Sequence, residues 1–257
     1  MASPIVHAST TIHYPDTDGL PMAESDFQRK PLMYAVAALD LYFQAQPEVY
    51  VTGNLFLYYE EGNPRAVVAP DVFVVFGAPK HDRRSYKLWE EPKIPDFVLE
   101  ITSESSRSED QEVKPRRYAL LGVQEYWQYD PTGDYLAPQL QGSRLVNGRY
   151  ESLPATVLPS GVLVLHSHVL GLDLRLEQGK LSFYDPATGQ KLLNYQEAEQ
   201  ARQEAEQGRQ AAEVRAQQEA AARQELEAHV AALEARLRAL QDESAAPPPA
   251  PPANTQP

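Results

Sequence analysis

An abrupt change of composition near residue 195 divides this chain into two kinds of polymer. From Gln196 to Glu243 it is mainly Ala, Glu, Gln and Arg, with no proline and one glycine, Gly208. Within this stretch Leu226, Val230, Leu233, Leu237 and Leu240 recur in steps of four and three. That spacing is the heptad seam of a coiled coil, and it predicts a homo-oligomer held by the tail. Upstream the seam positions are mostly alanine, with Arg202 and Arg209 near the extrapolated places, so the coil weakens there. The closing AAPPPAPPANTQP is Pro-rich and is expected to be disordered.

The preceding 194 residues follow a different pattern. Residues 1–17 show no clear pattern and read as a flexible lead-in. From Met22 to about Ala45, Leu32, Met33, Val36, Leu39, Leu41 and Phe43 roughly follow a helical period, and the stretch from Asp40 to Pro47 ends it. Strand-like runs follow: VYVTGNLFLYY (49–59), AVVAPDVFVVFG (66–77) and DFVLEIT (96–102), all rich in Val, Phe, Leu and Tyr. Glu60 to Pro64 reads as a turn between the first two. A polar stretch, SESSRSEDQEVKPRR (103–117), leads into RYALLG, which reads as a helix stopping at Gly122. EYWQYDP (125–131) reads as another strand, with Tyr126 and Trp127 as core or sheet-face residues, and 135–192 holds further short strands. The order predicts an α/β or α+β fold, a mixed sheet flanked by helices. The expected boundaries are 1–17, 18–194 for the globular domain, 195–243 for the coil and 244–257 for the tail.

Composition narrows the chemistry. Cysteine is absent, which removes disulfides, thiolate metal sites and a Cys nucleophile. The first ten residues lack the pattern of a signal peptide, and no stretch approaches the roughly 18 apolar residues of a membrane span. The reading is a cytoplasmic protein with no membrane partner. The net charge is −13, of which −5 lies from Tyr195 onward (11 acidic, 6 basic) and −8 on residues 1–194 (25 acidic, 17 basic). Such a domain has no general pull toward nucleic acid, and only a local basic patch or bound metal ions soften that. Arg83, Arg84, Lys87 and Lys93 around Trp89 are a candidate patch for phosphate contacts, or simply a solvated loop. His166 and His168 have no evident third ligand and suggest no zinc site. There is no Gly-rich phosphate loop and no nucleophile elbow.

Two acids stand out. Asp71 opens the apolar run DVFVVFG, and Glu100 closes DFVLEI. A carboxylate there is costly to bury alone, and two on neighbouring strands repel unless a cation lies between them. Oxygen donors of this kind suit Mg²⁺ or Mn²⁺, with the Ile101 carbonyl able to complete the protein's share. Taken singly, an acid near a strand end is usually only a solvated turn residue, and either of these reads first as that. Glu24, just before the first helix, reads as a carboxylate favoured by the helix dipole.

APDVFVV, then PDFVLEITSESS (95–106), then Asp110, Lys114 and Tyr118, then GVQEYWQYDP (122–131) resemble the Uma-two family of restriction endonucleases. That family lies within the PD-(D/E)XK nuclease superfamily. The likeness also takes in DGLPMAESD (18–26), VTGNLFLYYEEGNP (51–64), YLAPQLQGSRL (135–145) and LSFYDPATGQKLL (181–193), covering about residues 12–194. The resemblance implies a restriction-endonuclease-like fold and a metal-dependent endonuclease acting on DNA. It makes Asp71 the motif aspartate, Glu100 the motif acid and Glu24 the acid often carried by the first helix. The motif lysine would stand at position 102, where this chain has Thr102. Lys114 is its natural substitute, placed at the start of a helix because Pro115 is comfortable only in a first turn. Its bland reading is a surface partner for Asp110. The same pattern also fits a catalytically inactive nuclease-like module that recruits partners through its coil.

Overall fold

The computed structural model describes residues 12–17, 25–104 and 106–245. Glu24, most of the expected lead-in and the Pro-rich tail lie outside the described residues. The chain divides into two compact units, residues 1–197 and 198–257.

The first unit is organised by one six-stranded sheet. Its strands are β1 (Val49–Thr52), β4 (Val72–Phe76), β6 (Phe97–Ile101), β7 (Glu125–Tyr129), β8 (Leu140–Val146) and β9 (Arg149–Ser152), in the order β1-β4-β6-β7-β8-β9. All neighbours are antiparallel except β6 and β7. A parallel pair needs a crossover, and here it contains α2 (Lys114–Leu121). A second sheet joins β10 (Ala155–Val157), β11 (Leu163–Ser167), β12 (Leu172–Glu177) and β13 (Lys180–Tyr184). A small third one orders β3 (Val67–Val68), β2 (Leu57–Tyr58) and β5 (Tyr86–Lys87).

Side-chain alternation assigns the two faces of the large sheet. Val72, Val74, Phe97, Leu99, Ile101 and Trp127 join a core with Ala35, Ala38 and Leu39 of α1 (Asp26–Tyr42) and with Leu165, Leu174 and Phe183 of the second sheet. Phe73, Val75, Val98 and Tyr126 join another core with Tyr118 of α2 and with Leu57 and Tyr86 of the third sheet. Burial on both faces explains why the central strands read as unbroken apolar runs rather than as alternation.

The structure divides runs that the sequence presents as single strands. Residues 49–59 become β1 and β2, parted at Gly53, where an added Cβ would stand 2.3 Å from the Asp71 carbonyl oxygen. Residues 66–77 become β3 and β4, parted at Pro70, which has no N–H for a ladder. The first helix is shorter than expected and carries Pro31 inside it. Gly122 ends α2 as expected, in the left-handed conformation (φ 89°) that glycine adopts freely.

Two buried carboxylates fix loops to this frame. Glu125 accepts from Trp127 Nε1 (3.0 Å), Ser167 Oγ (2.6 Å), His168 N (2.8 Å) and Val169 N (3.2 Å), tying β7 to the second sheet. Asp130 gathers the next loop by accepting from Thr132 N and Oγ1, Gly133 N, Tyr135 N and Leu136 N at 2.6–3.0 Å. Burial opposes its ionisation, but the hydrogen bonds from Tyr135, Thr132, Leu136 and Gly133 outweigh it and hold the carboxyl below its ordinary value.

The second unit is the greater part of α3 (Tyr195–Ala245), a 51-residue helix. Leu226, Val230, Leu233 and Leu237 are all exposed on it, by 46–64%. Among the described residues no helix is long and apolar enough to cross a membrane.

Gly142 faces Trp127 across β7 and β8, and a Cβ there would meet the indole at 2.7–2.8 Å. Gly142→Ala is therefore expected to destabilise the domain by about 1–3 kcal/mol in denaturant unfolding. Asp130→Asn should also destabilise. Because the folded carboxyl titrates below its ordinary 3.8, the ionic contribution is present above that value. It is lost as pH falls through the lowered one. The stability gap between wild type and Asp130→Asn should stay constant near neutrality and close on acidification.

Candidate active site

The pairing of β4 with β6 ends at Val72 opposite Leu99. One step further, Asp71 comes opposite Glu100. Alternation puts both side chains on the face of Phe73, Val75 and Val98, the face that α2 covers. Beyond the last backbone pair each acid takes an amide of the other strand. Asp71 Oδ2 accepts from Ile101 N at 2.7 Å, and Glu100 Oε2 from Asp71 N at a long 3.4 Å. The N–H and C=O of one residue in an antiparallel strand face the same side, so the Ile101 carbonyl lies on Asp71's edge. Glu100 has no exposed surface, while Asp71 is half-buried.

The crossover helix completes the site through a local irregularity. Residues Glu109–Val113 form a π-turn that runs straight into α2. The Lys114 N–H bonds Glu109 O, five residues back, and Pro115 has no N–H to give. The Asp110 carbonyl is thus left outside the helical ladder. Tyr126 OH (2.7 Å) and Gln128 Nε2 (2.9 Å) of β7 donate to it instead. π-Turns of this kind are frequent at functional sites. This one seats α2 on the sheet at Asp110.

The side chains of that helix face then converge. Lys114 Nζ lies 2.9 Å from Glu100 Oε2 and 2.8 Å from Asp110 Oδ1. The first contact is an aligned hydrogen bond, and the second is ionic without hydrogen-bond alignment. Ser106 Oγ donates to Asp110 Oδ2 at 2.6 Å, and Tyr118 OH to Glu100 Oε1 at 2.8 Å. Glu100, Asp110, Lys114 and Tyr118 are all buried.

Burial pushes the Glu100 carboxyl up to about 8; Lys114 draws it down, and Asp71 and Asp110 push it up again. For Lys114 burial works against the charge, but Glu100 and Asp110 outweigh it and hold the ammonium well above its ordinary range. Burial and the neighbouring Glu100 raise the Tyr118 phenol. Lys114 is accordingly a fixed cation and donor, not a base. With all three carboxylates ionised, Asp71, Glu100 and Asp110 against Lys114 leave a formal charge of −2. Among the described residues no three His, Asp or Glu side chains form a ready-made metal cage. The donors present suit a divalent cation that takes one or two carboxylates and a carbonyl from protein and leaves other positions to water and phosphate.

The other candidates from the sequence separate clearly. Thr102, at the place of the motif lysine, is buried, with its N–H on Tyr129 O at 2.8 Å and its hydroxyl without a hydrogen-bond partner. The basic stretch near Trp89 is committed internally. Arg83 pairs with Glu91 (2.7 Å) under the Tyr50 ring, Lys87 with Glu90 (3.1 Å) and Lys93 with Asp96 (2.7 Å), while exposed Arg84 lies 3.7 Å from Asp16. His166 contacts Asp173 at 2.9 Å. Lys114 and Asp110 are a buried pair, not a surface one. Tyr118 and the clamping role of Asp110 went unassigned in the sequence, although the spacing 110, 114, 118 signals one helix face.

The family profile described as "Uma2: Putative restriction endonuclease" matches residues 15–177. The chain belongs to the Uma2 family. No curated protein matches it. A solved structure described as a putative nuclease belonging to DUF820 from Anabaena variabilis ATCC 29413 is similar over 54% of this chain and 74% of that one. The identity is 16% and the TM-score 0.38. Membership in Uma2 and the mixed sheet with its crossover helix make this a nuclease-type α+β domain.

Lys114→Met leaves Glu100 and Asp110 buried with no countercharge. Breaking a buried pair in this way costs about 3–5 kcal/mol, and adding Glu100→Gln should restore a large part of it. Chemical denaturation of the single and double variants checks this. Equal stability of wild type and Lys114→Met would show that the ion pair contributes nothing.

Proposed function

We propose that residues 18–194 are a Mg²⁺- or Mn²⁺-dependent endonuclease domain that hydrolyses phosphodiester bonds of DNA. The observation carrying this reading is the convergence of Asp71, Glu100 and Lys114 at the open end of β4 and β6. Asp71, Glu100 and the Ile101 carbonyl would hold the metal, joined by Glu24 if the family resemblance extends to it. A divalent cation there supplies Lewis acidity toward a phosphoryl oxygen and lowers the pKa of a bound water. Lys114 is the group that orients the attacking water and offsets charge developing on the phosphate. Asp110 and Ser106 hold its amine in place, and Tyr118 fixes the Glu100 carboxylate from its other oxygen. The exposed seam of α3 supports self-association through the coil.

The test is cleavage of supercoiled and linear DNA with Mg²⁺ or Mn²⁺. Asp71→Ala and Glu100→Ala should each lower the rate by at least about 10²–10³-fold, the scale of losing one stabilising group at the reacting centre. Lys114→Ala should lower it by about 10²–10⁴-fold. Calorimetry with Mn²⁺ gives the second readout: binding by wild type that is lost in Asp71→Ala. Thr102 in place of the motif lysine favours a second reading, an inactive nuclease-like module that recruits partners through its coil. A wild type that neither cleaves nor binds Mn²⁺ decides for that reading.

A further inference from the structure

We infer that α3 pairs with α3 of a second copy as a parallel, in-register two-stranded coil through Leu226, Val230, Leu233 and Leu237. This rests on the self-association reading above and goes beyond it by fixing partner, strand number and direction.

The four residues stand exposed on one helix, in steps of four, three and four. That spacing makes Leu226 and Leu233 d positions and Val230 and Leu237 a positions. A β-branched residue at a with leucine at d favours two strands. The flanking positions set the direction. Glu227 and Glu234 fall at e, while His229 and Arg236 fall at g. In a parallel pair e faces the g of the other strand, so His229 meets Glu234 of the second copy. In an antiparallel pair e faces e and g faces g. Glu227 would then face Glu234, twice over. Like charges placed so oppose association. Among the described residues neither Glu234 nor Arg236 forms an ion pair within the chain, and Glu227 pairs with Arg223 at 2.9 Å.

The sequence also limits the seam. Extending the register upstream puts Glu219 at d and Arg223, Arg209 and Arg202 at a. A parallel pair would stack arginine on arginine there, so the apolar contact starts at Leu226. Both chains then enter the seam from the same end.

The chain contains no cysteine, so a single introduced one reports its own neighbour. Full-length Leu226→Cys and Leu237→Cys are oxidised separately and as a mixture, with one of them carrying a mass tag. Parallel pairing gives a self-crosslinked dimer of each variant and no mixed 226–237 product. In that arrangement the two positions lie roughly 16 Å apart along the axis, and a disulfide needs Cα atoms within about 7 Å. A dominant mixed product shows antiparallel pairing and overturns the direction alone. Sedimentation of wild type should show twice the 28.7 kDa chain mass, lost in Leu233→Asp. A wild type that stays monomeric at the highest soluble concentration overturns the self-association reading and this inference together, leaving the nuclease reading untouched.

Discussion

The Lys114 ammonium, held between Glu100 and Asp110, is the contact on which the rest of the site depends. Three acids on one buried face would repel each other. One cation cannot neutralise them, but it sets their geometry. It ties the end of β6 to the crossover helix, and it leaves an excess of negative charge on the side of Asp71. A fold chosen for stability alone would replace such a cluster with apolar side chains of similar volume, often at no loss. Its presence here is what motivates reading the site as one that would take up positive charge.

That contact exists because of a backbone detail. In an unbroken α-helix the N–H four residues on would claim the Asp110 carbonyl. The π-turn sends the Lys114 N–H to Glu109 and leaves that carbonyl for Tyr126 and Gln128. Pro115 fits the same arrangement, since it has no N–H and would crowd a regular ladder. The proline that placed Lys114 in a first turn is thus at the start of α2, as the sequence reading required. It does not start the helical run, because the π-turn precedes it. The lysine gains its reach from the turn before it, and the sheet holds that turn.

What was legible in the sequence follows from what is local. The two acid-bearing strands are visible because burial on both faces demands continuous apolar runs, so a carboxylate in them is conspicuous. The stop at Gly122 is visible because a left-handed residue favours glycine. The division of 49–59 into separate strands is hidden, whereas Pro70 marks that of 66–77 locally. The former depends on Gly53 passing close to the Asp71 carbonyl, a contact between residues distant in sequence. The latch of Glu125 on Ser167 and the two amides after it is hidden for the same reason. Of the site, the acids and Lys114 come from motif resemblance. The π-turn leaves no periodic signal, and Tyr118 enters the sequence reading only as part of the motif resemblance, with no role of its own. The basic stretch around Trp89 misleads because composition cannot show that its cations already have partners.

The proposed function would require this acidic domain to meet DNA. Residues 1–194 carry −8, and the field of such a surface opposes a polyanion. The stretch that looked able to offset this pairs with Glu91, Glu90, Asp96 and Asp16. Arg116 and Arg149, which line one cavity beside α2, form no ion pair among the described residues. They supply some local positive charge, too little to reverse the whole. Asp71, Glu100 and the Ile101 carbonyl are the groups that would hold a divalent cation on the proposed reading, and such a cation would supply positive charge that the surface lacks. On the reading proposed above, a metal held there would offset an unfavourable field as well as supply Lewis acidity.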